Sequence, residues 1–441
     1  MASRIPALAV SAPAFREGRM NMVVEFWFGL CALLMTALFI LVAKKPAQRV
    51  GLVDRPGGRK QHEAAVPLCG GPAMVTAFLL LVLLLEATPS MRHLGLLGGV
   101  LSLALLGLLD DYRDLSAGRR LIAQLVIALV CLEFFGPVRL EHLGDLVGSG
   151  NLYLGYAAIP FTVFCLVAFI NAFNFIDGVD GLAGGLAVVA LGSFAILALA
   201  VGRWGAFELL TLLLGCAAGF LLFNLRTRWR AHASVFLGDS GSTALGFVLC
   251  WFAIDLTQGG RPAMAPIIAV WILALPILDT VNVVLNRVLR GHGPFVGSRD
   301  HLHHALMMAG YSPRQTVRVL LGMAAAMAVI GLLGNYYKVD EPVMFLGFVG
   351  LAFIYYSAVG QFWRGRYQRL KAASHSAAMP TFAEFMNGSG LINVPQRPPA
   401  ARAHELPEAA PAQIPEIDSR NAGGQVVAHL IDPGADMRLV K

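Results

Sequence analysis

Residues 95–114 read GLLGGVLSLALLGLLDDYRD: an apolar run that stops abruptly on two adjacent carboxylates, Asp110 and Asp111. A helix crossing the hydrocarbon of a bilayer takes about 20 apolar residues, and the run at 91–109 is one of a series. Comparable runs fall at 26–43, 68–87, 119–135, 157–173, 181–201, 203–223, 242–257, 263–285, 318–335 and 341–359, about eleven spans in all. With 57% hydrophobic and 14% charged residues among 441, the expected fold class is an all-α, polytopic helical integral membrane protein. If successive spans alternate direction, Asp110–Asp111, Asp177 with Asp180, and Asp239 all emerge on one face.

Short positively charged loops stay cytoplasmic. Lys44, Lys45, Arg49, Arg55, Arg59 and Lys60 follow the first span, Arg113, Arg119 and Arg120 the third, Arg226, Arg228 and Arg230 the seventh, and Arg287, Arg290, Arg299 and Arg314 the ninth. Loops of the other parity carry little beyond Arg92, Arg139, Arg203, Arg261 and Lys338. The odd-numbered exits are therefore expected in the cytoplasm, and the net charge of +7 reflects this asymmetry together with phosphate or anionic-lipid contacts. The first run lacks a small-residue cleavage site, so it reads as a retained span with an extracytoplasmic N-terminus. Three regions follow: an extracytoplasmic segment at 1–25, a transmembrane catalytic domain at 26–371, and a disordered cytoplasmic tail at 372–441, rich in Ala, Pro, Gln, Glu and His. The six cysteines show no CxxC spacing, which supports neither a disulfide framework nor a thiolate zinc site. No Gly-Lys pair occurs, which excludes an ATP-driven pump with its own P-loop.

Negative charge at a helix C-terminus is unfavourable, so Asp110 and Asp111 need cationic compensation. Arg113, Arg119 and Arg120 at the surface supply it in one reading; a metal or phosphate site does in the other, and membrane-edge carboxylates favour the second. In NAFNFIDGVDGLAGG, Asn171, Asn174 and Asp177 recur every three residues and share a slowly turning helical face. Asp180 either joins this polar cleft or caps the next helix. VFLGDSGSTALGF sets Asp239 in a turn before a span, where Ser240, Gly241 and Ser242 offer hydroxyl and free N–H groups: an anion site beside a hard-cation ligand, or a plain N-cap. Oxygen ligands of this kind suit Mg2+ or Mn2+ better than zinc. His301, His303 and His304 in SRDHLHHAL line a turn or a loop end; zinc ligands or solvated loop histidines are alternative readings, and with Arg299 beside them a basic cluster that contacts phosphate fits better. Arg59, Lys60 and His62 make the first loop basic, and Asp279 is an acid inside the ninth span whose partner would be Asn282 or Arg287 unless it is catalytic.

Taken together, DRPGGRKQHEAAVPLCGG, LGLLDDY, NAFNFIDGVDGLAGG, VFLGDSGS and RDHLHH, in this order between Val53 and Gly310, resemble the signature segments of the polyprenyl-phosphate N-acetylhexosamine-1-phosphate transferases. The HLHH form is closer to the branch that begins enterobacterial common antigen, O-antigen or teichoic-acid linkage than to the phospho-muramoyl-pentapeptide branch, whose motif has three consecutive histidines. The resemblance implies a bacterial cytoplasmic-membrane enzyme with a UDP-N-acetylhexosamine donor, UDP-N-acetylglucosamine above others, an undecaprenyl-phosphate acceptor, Mg2+ or Mn2+, and UMP as a product. It makes Asp239 and Asn174 metal ligands and Asp110, Asp111 and Asp177 catalytic. It assigns substrate contacts to Asp180, Lys60, His62, Arg120, Arg299, His301, His303 and His304. Membrane lipids and, on family grounds, a second copy of the chain are the expected partners; nucleic acid is not. The family's acidic residue before the motif arginine is replaced by Ser298, which implies a different sugar-contacting loop. The competing class, a secondary transporter, fits poorly, because transporter acids gather near the bilayer midplane between related halves, whereas these gather at helix ends.

Overall fold

The computed structural model describes residues 12–54, 65–85, 91–134, 138–289 and 301–373, all within one compact unit. In order the helices are α1 (Ala12–Arg49), α2 (Gly70–Leu85), α3 (Met91–Arg113), α4 (Ala117–Phe134), α5 (Ala158–Ile176), α6 (Leu182–Ala200), α7 (Trp204–Asn224), α8 (Gly238–Asp255), α9 (Pro266–Ile272), α10 (Ala274–Leu289), α11 (Leu302–Met308), α12 (Pro313–Tyr336) and α13 (Glu341–Ala373). A two-stranded ribbon, β1 (Val53–Asp54) with β2 (Val66–Pro67), is antiparallel and sits between α1 and α2. The protein is thus a polytopic helical membrane protein.

Each apolar run of the sequence falls on a helix. Among the described residues seven helices are long and apolar enough to cross a membrane, or up to eight if one bent pair is a single span. That pair is the expected ninth span: α9 and α10 meet at 81°. Pro276 supplies the reason, since it has no N–H for the carbonyl four residues back and its ring crowds that carbonyl. Of the other runs, α2 is only 16 residues long, and α4 carries Arg119, Arg120 and Glu133.

The remaining run, α8, lies at the centre of the bundle, with every residue from Ser240 to Asp255 buried. A helix apolar all round belongs in such a position. It packs on α3 and α5, and its Phe247, Trp251 and Phe252 are among the largest fully buried side chains. The outer helices α1 and α13 bury only 17% of their apolar windows, leaving side chains such as Leu38, Leu346 and Phe353 exposed, as lipid-facing helices do. Where α12 starts, Ser312 and Gln315 form a capping box ahead of Pro313.

Candidate active site

The close approach of α3 to the start of α8 depends on Gly107: a Cβ there would lie 2.4 Å from the Asp239 carbonyl carbon and the Ser240 nitrogen. Three residues later, Asp110 and Asp111 are delivered beside Asp239. The Asp111 carboxylate accepts N–H bonds from Asp239 at 2.9 Å and Ser240 at 3.3 Å. Gly238 has φ +70° and makes room for that carboxylate, which a Cβ would meet at 2.6 Å. Asp111 therefore caps α8 from another helix, where the unpaired N–H groups and the positive end of the dipole favour an anion. This corrects the expectation of free N–H groups at this helix start: Asp111 occupies those of Asp239 and Ser240. Asp239 itself is inside the first turn of α8, not an N-cap; that position is Leu237.

Asp110 takes the opposite course. It accepts the Leu115 N–H at 2.7 Å and pairs with Arg120 at 2.6 Å. Arg120 in turn reaches Asp239 at 3.3 Å. From α5, the Asn174 amide donates to Asp239 at 2.7 Å and to Ser242 Oγ at 2.8 Å. Side chains from α3, α4, α5 and α8 thus meet at one end of the bundle. Of the three-residue stripe on α5, Asn171 turns to Gln124 of α4 at 2.6 Å instead.

Asp177 ends α5. Burial first, then the charges of Asp239, Asp180 and Asp111, push its carboxyl up to about 7. Burial and the neighbouring Asp110 and Asp111 carboxylates push Asp239 upward too, against the lowering effect of the Asn174 amide. Asp180 does not cap α6; it pairs with Arg226 at 2.7 Å and accepts the Ala233 N–H at 3.0 Å. The position before α6 is Gly181, whose N–H goes to Asn224.

The histidines stand at the start of α11, with His301 in the N-cap position. The rings of His301 and His303 stack with centroids 5.6 Å apart, and His304 lies 4.2 Å from His303. His303 packs on Gly178, where a Cβ would approach its Nε2 to 2.5 Å, so the motif abuts the turn that carries Asp177. Burial, and next the charges of His304 and His301, push His303 down to about 3. The expected partners of Asp279 were wrong: it bonds His301, the Leu302 N–H and Tyr355 rather than Asn282 or Arg287. Tyr355 and Gln124 were not singled out from sequence; each lies in a helix as an ordinary residue and acquires its partner only in three dimensions. Lys60, His62, Ser298, Arg299 and the tail from residue 374 lie outside the described residues.

Asp110 and Asp239 share the Arg120 guanidinium, while Asp111 bonds the backbone of Asp239 and the charges of Asp239, Asp180 and Asp111 add to the burial that pushes Asp177 up. Such excess charge, with amide and hydroxyl oxygens beside it, fits a hard divalent cation. Among the described residues no trio of carboxylate, imidazole or thiolate groups is set to hold a metal. Mg2+ needs no such cage, because it keeps several waters and binds through one or two carboxylates plus substrate phosphates.

Residues 93–257, which hold the Asp110–Asp111, Asn174–Asp180 and Asp239 segments, match the profile described as glycosyl transferase family 4. The chain is 34% identical over 333 residues to the undecaprenyl-phosphate alpha-N-acetylglucosaminyl 1-phosphate transferase of Escherichia coli strain K12, covering 75% of this chain and 90% of the relative. The Haemophilus influenzae protein with the same description is 36% identical over 327 residues, 74% of this chain and 92% of its own length. That of Yersinia pestis is 33% identical over 333 residues, with 75% and 90% covered. With its site geometry and this extent of similarity, the chain belongs to glycosyl transferase family 4.

Proposed function

We propose that this enzyme transfers N-acetylglucosamine-1-phosphate from UDP-N-acetylglucosamine to undecaprenyl phosphate, releasing UMP and starting a lipid-linked surface glycan. The observation that carries the reading is the meeting of Asp110, Arg120, Asn174 and Asp239 at one end of an apolar bundle. The relatives' description as undecaprenyl-phosphate alpha-N-acetylglucosaminyl 1-phosphate transferases supports the transferred sugar phosphate and the acceptor. A lipid phosphate must reach the reaction from the bilayer. A groove of about 410 Å³ lined by Val50, Leu52, Leu105, Leu108, Leu109 and Tyr112 opens beside the Asp110–Asp111 pair and would take the first isoprene units.

In this reading the acceptor phosphate is held by Arg120, which Asp110 orients, and one of its oxygens attacks the sugar-linked phosphorus in a single displacement. Positioning and electrostatics supply most of the acceleration. Asp239 and Asn174 would hold Mg2+ or Mn2+, which when bound would supply neutralisation of the charge on the phosphates. Asp177 shares the donor end of the site. Asp180 acts there through the loop it pins with Arg226. His301, His303 and His304, with Arg299, would contact the donor diphosphate, and Lys60 and His62 would contribute further substrate contacts. The site faces the cytoplasm, where UDP-sugars are made, with the N-terminus outside and the tail inside.

The test is UMP release by purified protein in detergent with undecaprenyl phosphate and UDP-N-acetylglucosamine, with and without Mg2+. Acceptor- and metal-dependent UMP is expected. Release only from another UDP-N-acetylhexosamine would overturn the sugar assignment, and no release from any donor would overturn the reaction.

A further inference from the structure

Asp279 is 2% exposed on α10, the second arm of the broken span. A carboxylate at such a position is costly unless its lone pairs are satisfied. Here they are: one oxygen lies 2.8 Å from His301 Nδ1, and the other accepts the Leu302 N–H at 2.8 Å and the Tyr355 hydroxyl at 3.0 Å. An ionised carboxylate only accepts, so the network assigns the His301 Nδ1 position a proton. Nε2, which bonds no described residue, is the nitrogen left for a ligand. The ring stacks on His303 and also meets Phe175, with centroids 6.2 Å apart. Phe175 adjoins Asn174, and His303 abuts Gly178 beside Asp177.

We propose that Asp279, braced by Tyr355, is a positioning residue that fixes His301 with Nδ1–H toward α10 and Nε2 toward the diphosphate of the sugar-nucleotide donor. Nε2 then donates the second N–H of an imidazolium set between two anions, a charge-assisted bond. This inference rests on the donor-diphosphate contact proposed above. It adds α10 and α13 to the elements on which the reaction depends.

The experiment is a double-substitution cycle on the full chain, read as UMP release. Asp279→Asn keeps the shape but turns an amide N–H toward one of three donors, and is expected to lower kcat/KM by roughly 10- to 100-fold, as loss of such outer partners does. In a His301→Ala background the same substitution is expected to change kcat/KM by less than roughly twofold, because the group it acts through is gone. Losses that multiply independently would overturn the proposal. Wild-type protein run alongside tests the parent reaction. Nitrogen-15 histidine spectra of the detergent-solubilised chain give a readout independent of turnover: a ring protonated at Nδ1 that disappears in His301→Gln is expected, and a His301 proton on Nε2 alone would overturn the proposal even if no donor turned over.

Discussion

Asp111 uses both carboxylate oxygens on the first N–H groups of α8, whereas its neighbour Asp110 grips Arg120. The two substitutions should therefore separate. Asp111→Asn removes the charge from a helix N-terminus and sets an amide N–H against backbone donors, at a cost of about 1.5–3 kcal/mol. Asp110→Asn leaves Arg120 its bond to Asp239. Paired thermal melts and UMP assays check this: the larger fall in melting temperature is expected for Asp111→Asn, with lost turnover at unchanged fold for Asp110→Asn. A lower melting temperature for Asp110→Asn would contradict the division.

Titration of the same cluster gives a second expectation. Asp177, held up to about 7, keeps its proton in the folded state where the unfolded chain, near pKa 4, has lost it. Its contribution is present at low pH and disappears as pH rises through 7. His303, held down to about 3, acts in the other sense: its contribution is present above the unfolded value near 6.5 and is lost as pH falls toward 3. Above pH 6.5 only the carboxylate penalty still grows, and a divalent cation relieves it. The melting-temperature gain from Mg2+ should be larger at pH 8 than at pH 6, and equal gains would count against cation binding at this cluster.

Between elements, the site exists because α3 and α8 approach to backbone contact at Gly107. Gly107→Val must force them apart or distort the first turn of α8, an overpacking cost of about 1–3 kcal/mol. Since the displaced atoms belong to Asp239 and Ser240, turnover should fall further than the stability loss alone explains. A variant with normal UMP release would show that the approach is not needed. The break between α9 and α10 has a matching consequence: it lets α10 depart from the preceding helix at 81° and bring Asp279 to His301 and Tyr355.

For the whole molecule, the two ends of the bundle have different polar chemistry. Opposite the carboxylate cluster, Gln258 just beyond α8 binds the backbone of Glu141 and His142, Glu341 at the start of α13 accepts the Asp145 N–H, and Arg203 pairs with Asp255 at 2.5 Å. If the basic loops stay inside, a cysteine placed at Trp229 is reached by a membrane-impermeant thiol reagent only after cells are opened, and one at Gly148 is reached in intact cells. Both residues are exposed, so the opposite labelling pattern would invert the orientation.

Much of this was legible from residues alone, because its signals are local. Apolar runs such as 91–109 and 181–201 became helices, since a bilayer crossing requires internally bonded backbone. The ordered Asp110–Asp111, Asn174–Asp180, Asp239 and His301–His304 segments pointed to phosphate chemistry through their own side chains. The bend near Pro276 was not read from the sequence, where 263–285 stands as one span; only the structure shows the break. What only the tertiary structure decided is who meets whom: that Asp111 caps α8 while Asp110 holds Arg120, that Asn171 turns away to Gln124, and that Asp279 meets His301. Those pairings depend on the rotation and separation of helices far apart in the chain, which close packing through Gly107 and its neighbours sets and which no local pattern encodes.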